Sequence, residues 1–285
     1  MLFTSKTEYF YLVAGLPDLL LDEGKLKLAA ADLREDWKDD LHPDDYQLFK
    51  ELFRKYDNTN LLNLLLKSGV DFDPRGNYSL DFLEEQIKEP TRDILHYMYH
   101  FILDFKAENQ DDMAKSWENI LEERFFNYLG TLENTFLKSW YELQLSMGNV
   151  LTALNCRQYK LPVEPQMIGS NFVVENVLRS NARDFGLMQD FPEVEQILAA
   201  WENNNMLDRE KALDLMKWQW IDDQVFFHYF TIERLLAFVI QLEMVERWLL
   251  LDRTEGERLF RKLLKNLGSS YELPEEFNLQ FISRK

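Results

Sequence analysis

The sequence predicts an all-α protein, and three observations carry that expectation. Glycine and proline are scarce, 10 and 8 in 285 residues, while aromatics reach 14%, so turn-formers are few and bulky packing groups many. Apolar residues recur at intervals of three and four over long stretches, the spacing of one helix face. Alternation of apolar and polar residues is brief: only 9–13 and 279–282 read as short strands. Typical helix lengths set against the chain length give roughly ten to fourteen helices. A hydrophobic content of 46% suffices for a substantial core. No Ser/Gly/Pro-rich or highly charged linker divides the chain, so residues 1–285 are expected to form a single domain.

The first strong pattern, DDLHPDDYQLFKELFRKYDN from Asp39, opens with an acidic capping cluster and places Tyr46, Phe49, Leu52, Phe53 and Tyr56 on one stripe. It predicts a helix that stops near Asp57 and restarts at once. The Asp57 carboxylate would cap the second helix, whose apolar face is Leu61, Leu62, Leu64, Leu65 and Leu66. Gly69, Pro74 and Gly76 mark SGVDFDPRGNYS as a loop. LDFLEEQIK reads as a short helix, and EPTRDILHYMYHFILDFKAEN as a longer one with Pro90 in its first turn. From Asp112 to Leu145 a long periodic pattern, interrupted by Gly130, predicts one amphipathic helix or two nearly collinear ones. A further helix around Asn149 is followed by the proline-containing loop KLPVEPQMIGSN. Two shorter helices divided near Gly186 and Pro192 come next. The stretch from Asp208 to Gly268 is helical at almost every position, with Asp208 and Asp252 as caps and Gly268 as a stop.

Charge and motifs narrow the chemistry. Fifty acidic against 32 basic residues give a formal charge of −18, which repels phosphate backbones and anionic headgroups. Nucleic acid and direct membrane insertion are therefore not expected; the excess charge serves solubility or, in a sharper reading, forms a face complementary to a basic partner. One cysteine, Cys156, forms no intramolecular disulfide and sits in no CxxC or CxxH pattern, as suits a reduced, cytosolic setting. The N-terminal apolar run is broken by Gly15, Pro17 and Asp18, which fits neither a signal peptide nor a membrane span. No phosphate-binding glycine loop, GxSxG elbow or HExxH helix occurs. His96 and His100, one turn apart beside Asp93, are the one arrangement with metal-ligand spacing. Flanking aromatics favour a packed or hydrogen-bonded pair, so neither metal nor cofactor is expected. Acidic pairs such as Glu84/Glu85, Glu122/Glu123 and Asp222/Asp223 read as solvated faces. Trp201, Trp218, Trp220 and Trp248 read as core or interface anchors.

One phrase is written twice. KYDNTNLLNLLLKSG and LSMGNVLTALNCRQYKL each place a small polar residue three positions before an asparagine, Asp57 before Asn60 and Ser146 before Asn149. An aliphatic ladder and a basic residue follow in both. The copies lie roughly ninety residues apart. TIERLLAFVIQLEMVERWLLLDRTEGERLFRKLL, carrying Glu243, Arg247 and Trp248, supplies a related third segment with Trp248 where an asparagine would stand.

Together these segments resemble the C/d-type central-stalk component of V-type rotary ATPases. The opening YFYLVAGLPDLLLDEGKL is similar to an uncharacterised bacterial family encoded among V-type ATPase genes. The resemblance implies a helical funnel of three pseudo-repeats, around 40–105, 112–200 and 205–270. It implies a non-catalytic role coupling the central shaft to the membrane rotor ring in proton or sodium transport. Shaft and ring proteins would be the partners, and the place cytoplasmic, peripheral to the inner membrane through the complex. Asp57, Asn60, Asn149, Glu243, Arg247 and Trp248 would be structural or interface residues rather than catalytic ones. The competing expectation is a peptide-binding scaffold of tetratricopeptide or HEAT type, although such repeats recur every thirty to fifty residues or so.

Overall fold

The computed structural model describes residues 7–21, 26, 28–107 and 115–270, with side chains described as far as Leu251. Among the described residues are twelve α-helices and no strand. They are α1 (Phe10–Ala14), α2 (Ala30–Asp36), α3 (Pro43–Glu51), α4 (Arg54–Leu66), α5 (Leu80–Lys88) and α6 (His96–Ala107). Then follow α7 (Trp117–Leu129), α8 (Thr135–Tyr159), α9 (Phe172–Arg179), α10 (Glu193–Trp201), α11 (Met206–Val225) and α12 (Ile232–Ser270).

Many of these helices begin where a short polar side chain satisfies a free backbone N–H. Ser79 accepts from Phe82 at 3.3 Å, Ser116 from Asn119 at 3.2 Å, Asn134 from Leu137 at 3.0 Å and Asn171 from Val174 at 3.1 Å. Asn205, not Asp208, caps α11, accepting from Leu207 at 3.0 Å.

The expected strand at 9–13 is instead α1. Its backbone has no sheet edge to pair with and closes on itself, while Tyr9 N–H donates to Phe230 O at 2.6 Å and the Tyr9 hydroxyl donates to Asp45. The expected strand at 279–282 lies outside the described residues. The α3–α4 break falls at Leu52 and Phe53, both buried, which puts Asp57 inside α4 rather than at a cap. Pro90 precedes α6 by a full turn of chain instead of opening it. The periodic stretch through Gly130 folds back as a hairpin, not a collinear pair: the Phe125 and Tyr141 rings meet at 6.1 Å across α7 and α8. Ser146 and Asn149 are interior to α8. The backbone of α12 runs unbroken through positions 252 and 268, because each helical N–H already has its partner one turn back.

Two apolar cores result. The smaller joins α4 to α7, with Leu61, Leu83, Met98, Phe101, Ile102 and Leu129 fully enclosed. The larger joins α2 and α3 to α8 through α12. The first half of α12 is its centre: Leu235, Leu236, Ala237, Val239, Leu242 and Val245 have no exposure at all. A helix apolar on every side is one wrapped by others, and α1, α2 and α11 pack on it. Leu132 and Tyr141 touch both cores.

Phe49 stands between Trp37 and Phe53, with ring centroids 5.4 and 5.3 Å away, and has no solvent exposure. Phe49→Ala is expected to cost about 3–5 kcal/mol, measured as a fall in the urea midpoint without loss of helical ellipticity under native conditions.

Candidate functional site

The two repeated asparagines make the same structure. Asn60 Nδ2 donates to the carbonyl of Asp73 at 2.8 Å, and its Oδ1 accepts from Asp73 N–H at 2.9 Å. Asn149 treats Ile168 identically, with both bonds at 2.9 Å. A primary amide carries one donor side and one acceptor side, so it can replace a strand partner for one loop residue. Both asparagines are 2% exposed, where an unpaired backbone group would be costly. In both copies the helix ends on a left-handed lysine, Lys67 at φ 51° and Lys160 at φ 57°. The chain then turns back past the asparagine and enters a capped helix, α5 or α9.

The residue three positions before each asparagine ties down that next helix. The Asp57 carboxylate, with no exposure, accepts from Asn77 N–H at 2.6 Å, Tyr78 N–H at 3.0 Å and Asn77 Nδ2 at 3.0 Å. Ser146 Oγ accepts from Asn171 Nδ2 at 3.3 Å, and Asn171 is the cap of α9. Asp57 does not make the predicted cap, because its own helix starts a turn earlier; its carboxylate instead holds the loop residues Asn77 and Tyr78 that lead into α5, whose cap is Ser79. The return loop comes so close that a Cβ on Gly76 would lie 2.6 Å from Asp57 Oδ1, leaving no room for alanine.

Asp57 also ends a ladder of buried charge. Arg54 lies 3.5 Å from Glu51 and 3.3 Å from Asp57, and all three side chains are at most 7% exposed. One cation faces two carboxylates, and Glu51 Oε2 and Arg54 Nε have no hydrogen-bond partner. Burial pushes the Glu51 carboxyl above its ordinary range, against the pull of Arg54.

Glu243, Arg247 and Trp248 all lie on α12 and reach two different helices. Glu243 accepts from Lys55 Nζ at 2.7 Å and from the Tyr56 hydroxyl at 2.9 Å. Tyr56 in turn takes Arg75 from the return loop, at 3.2 Å to its oxygen. Arg247 and Trp248 converge on Asp214 of α11, the indole N–H at 2.9 Å, and Lys217 joins at 3.3 Å. Trp248 therefore binds a side chain of the neighbouring helix, and no loop clamp stands at the third segment among the described residues.

Glu243 and Arg247 line a cleft of about 660 Å³ between the cores, walled by α4, α7, α8, α11 and α12. Its apolar surface includes Leu62, Phe126 and Met244, its rim Glu118 and Glu122, and Gln144 Nε2 is buried there without a partner. The cleft offers apolar area edged by carboxylates and amides, the pattern of a recognition site. Elsewhere, His96 and His100 share a hydrogen bond between Nε2 atoms at 3.0 Å. Among the described residues no group of three or more His, Cys, Asp or Glu is placed to hold a metal. Asp214, Glu51 and Arg54 were missed by sequence reasoning. Their signal was helical phase, since Glu51, Arg54 and Asp57 are spaced by three, and Asp214 follows buried Leu213 and precedes buried Met216.

Residues 6–270 match a family described as a protein of unknown function (DUF2764), and the chain belongs to that family. No curated protein and no solved structure matches it.

Asn60→Ala and Asn149→Ala are each expected to lose about 1–3 kcal/mol, read by urea unfolding. Asn149→Asp keeps the acceptor but faces the Ile168 carbonyl with a charge, so at neutral pH it should be at least as damaging and should recover as the carboxyl protonates. Because the raised Glu51 binds its proton more tightly folded than unfolded, its contribution favours folding in acid and is lost as pH rises through the raised value. Glu51→Gln, which leaves Arg54 with Asp57, is expected to be more stable relative to the parent at pH 8 than in acid, with the gain gone once the pH falls below the ordinary glutamate pKa of about 4.3, read by urea unfolding across pH.

Proposed function

We propose that this chain is a non-catalytic, C/d-type central-stalk component of a V-type rotary ATPase, coupling the central shaft to the membrane rotor ring. The observation that carries the reading is the duplicated asparagine clamp. The two segments whose sequence resembles the repeats of that stalk component, Asp57/Asn60 and Ser146/Asn149, build matching helix–loop–helix units with the same pair of amide bonds. In this reading the units are the first two pseudo-repeats, and the α11–α12 pair joined through Asp214 is a diverged third.

The role needs stiffness and contact area, not an active site. Each clamp removes freedom from a loop that would otherwise be a hinge, and close-packed helices transmit load as a unit. The cleft between the cores is the socket of the reading, shaped for an apolar partner segment that carries basic residues opposite Glu118 and Glu122. No helix among the described residues is long and apolar enough to cross a membrane, so attachment to the ring would be through protein contacts.

The test is affinity isolation of the tagged full-length chain from mildly solubilised native membranes, followed by mass spectrometry. Shaft and ring proteins are expected together, and a thiol cross-linker at Thr59→Cys, on the cleft wall, should join the chain to one of them. Membranes shown to contain the motor that yield neither protein would overturn the reading.

A further inference from the structure

The turn between α11 and α12 reads FFHYF, and its rings face water. Phe226, Phe227 and Tyr229 are 63, 81 and 62% exposed, and Phe230 is 37%. Helix α1 adds Phe10 at 53% and Tyr11 at 89%. Tyr9 N–H donates to Phe230 O at 2.6 Å and the Phe10 and Phe230 rings meet at 4.5 Å, which joins α1 to the turn, and within the turn Phe226 meets Phe227 edge-on at 4.9 Å. Elsewhere the fold buries aromatics of the same kind, Phe49, Phe53, Phe101 and Phe185 among them, almost completely. A contiguous apolar patch left in water marks a contact site, and rigid aromatics are the anchors that carry interface energy.

Charge selects the occupant. Glu8, Asp222 and Asp223 are exposed beside the rings in sequence, two positions before Phe10 and within the last turn of α11. Against them stands Arg234, half-buried in the first turn of α12, while His228 is held by Glu233 at 3.6 Å and Thr231 at 3.3 Å. A second copy would bring the same carboxylates against these, and a lipid surface of anionic headgroups would meet a chain of charge −18.

We propose that this aromatic tip docks a partner protein whose contact surface has an apolar centre and a lysine- or arginine-bearing rim. The proposal stands whether or not the assembly is a rotary motor. It concerns the α1 and α11–α12 tip, away from Thr59 on the cleft wall, so the two tests fail independently.

The experiment places p-benzoyl-phenylalanine at Phe227 of the full-length chain in native cells, with the same probe at exposed Asn127 as control. Irradiated adducts are sequenced. The expected result is an adduct to another protein, at an apolar segment flanked by Lys or Arg, absent at Asn127 and reduced about tenfold by Glu8→Lys/Asp223→Lys, which spares Asp222 because it holds the buried Gln241 at 2.8 Å. Phe226→Ser/Phe227→Ser in the otherwise native chain should retain the helical ellipticity of the parent and compete for the partner at least about tenfold more weakly. Adducts confined to this chain, within one molecule or between copies, would overturn the proposal. So would adducts no more abundant than at Asn127, an insensitivity to charge reversal, or flotation of the purified chain with phosphatidylcholine or phosphatidylglycerol vesicles.

Discussion

A loop that turns back across a buried helix face must find partners for its own N–H and C=O groups, and one asparagine per unit supplies both here. The rest of the architecture depends on that constraint. With Asp73 held by Asn60, the following residues come close enough for Asp57 to accept the N–H groups of Asn77 and Tyr78. That sets where α5 starts, and α5 closes the smaller core by placing its Leu83 in the same apolar cluster as Leu61 of α4. With Ile168 held by Asn149, Asn171 reaches Ser146 and fixes the start of α9 against the larger core. In both units the polar side chains are spaced by three on one helix, so one helical face serves two successive points of the returning chain.

The long α12 then couples what the clamps have built. Its Glu243 meets Lys55 and Tyr56 of α4, its Glu246 accepts the Ala30 N–H at the start of α2 at 2.7 Å, and its Arg247 and Trp248 meet Asp214 of α11. Four positions within less than two turns of helix thus touch three other helices. Apolar packing alone allows such helices to slide, because one methyl resembles another. Directional bonds at fixed positions choose a register, and the partly paired Glu51–Arg54–Asp57 ladder shows that part of the choice comes at some expense in stability.

Helix existence was written plainly in the sequence, because periodicity of three and four and Ser or Asn caps are local signals. LDFLEEQIK is α5 to the residue, and the loop at 67–79 was marked by its glycines and proline. Direction was not legible in the same way. Gly130 interrupts a continuous pattern, and nothing local says whether α8 continues α7 or folds back on it; Tyr141 contacting Phe125 is a long-range fact. The paired asparagines were visible as a repeat and expected to be structural, while the cap was assigned to Asp57. Capping is a short-range relation, whereas each clamp reaches 13 or 19 residues along the chain. Glu51, Arg54 and Asp214 went unread because charged residues in so acidic a sequence blend into a solvated background until helical phase is followed residue by residue.

That acidity has an internal distribution which bears on recognition. The cations near the cleft are already engaged, Lys55 with Glu243, Lys217 and Arg247 with Asp214, and Arg75 with Asp73. Cations used this way hold helices together and leave the excess carboxylates, Glu118 and Glu122 at the cleft and Asp223 at the tip, to face outward. In the proposed readings, the basic groups that would complete such a surface come from another molecule. Association on such terms is steered at long range and weakens as salt screens it, while the apolar floor of the cleft and the rings of the tip supply contact energy that salt leaves largely intact. The two contributions separate cleanly in principle, since ionic strength acts on the rate of encounter and aromatic truncation on the lifetime of the complex.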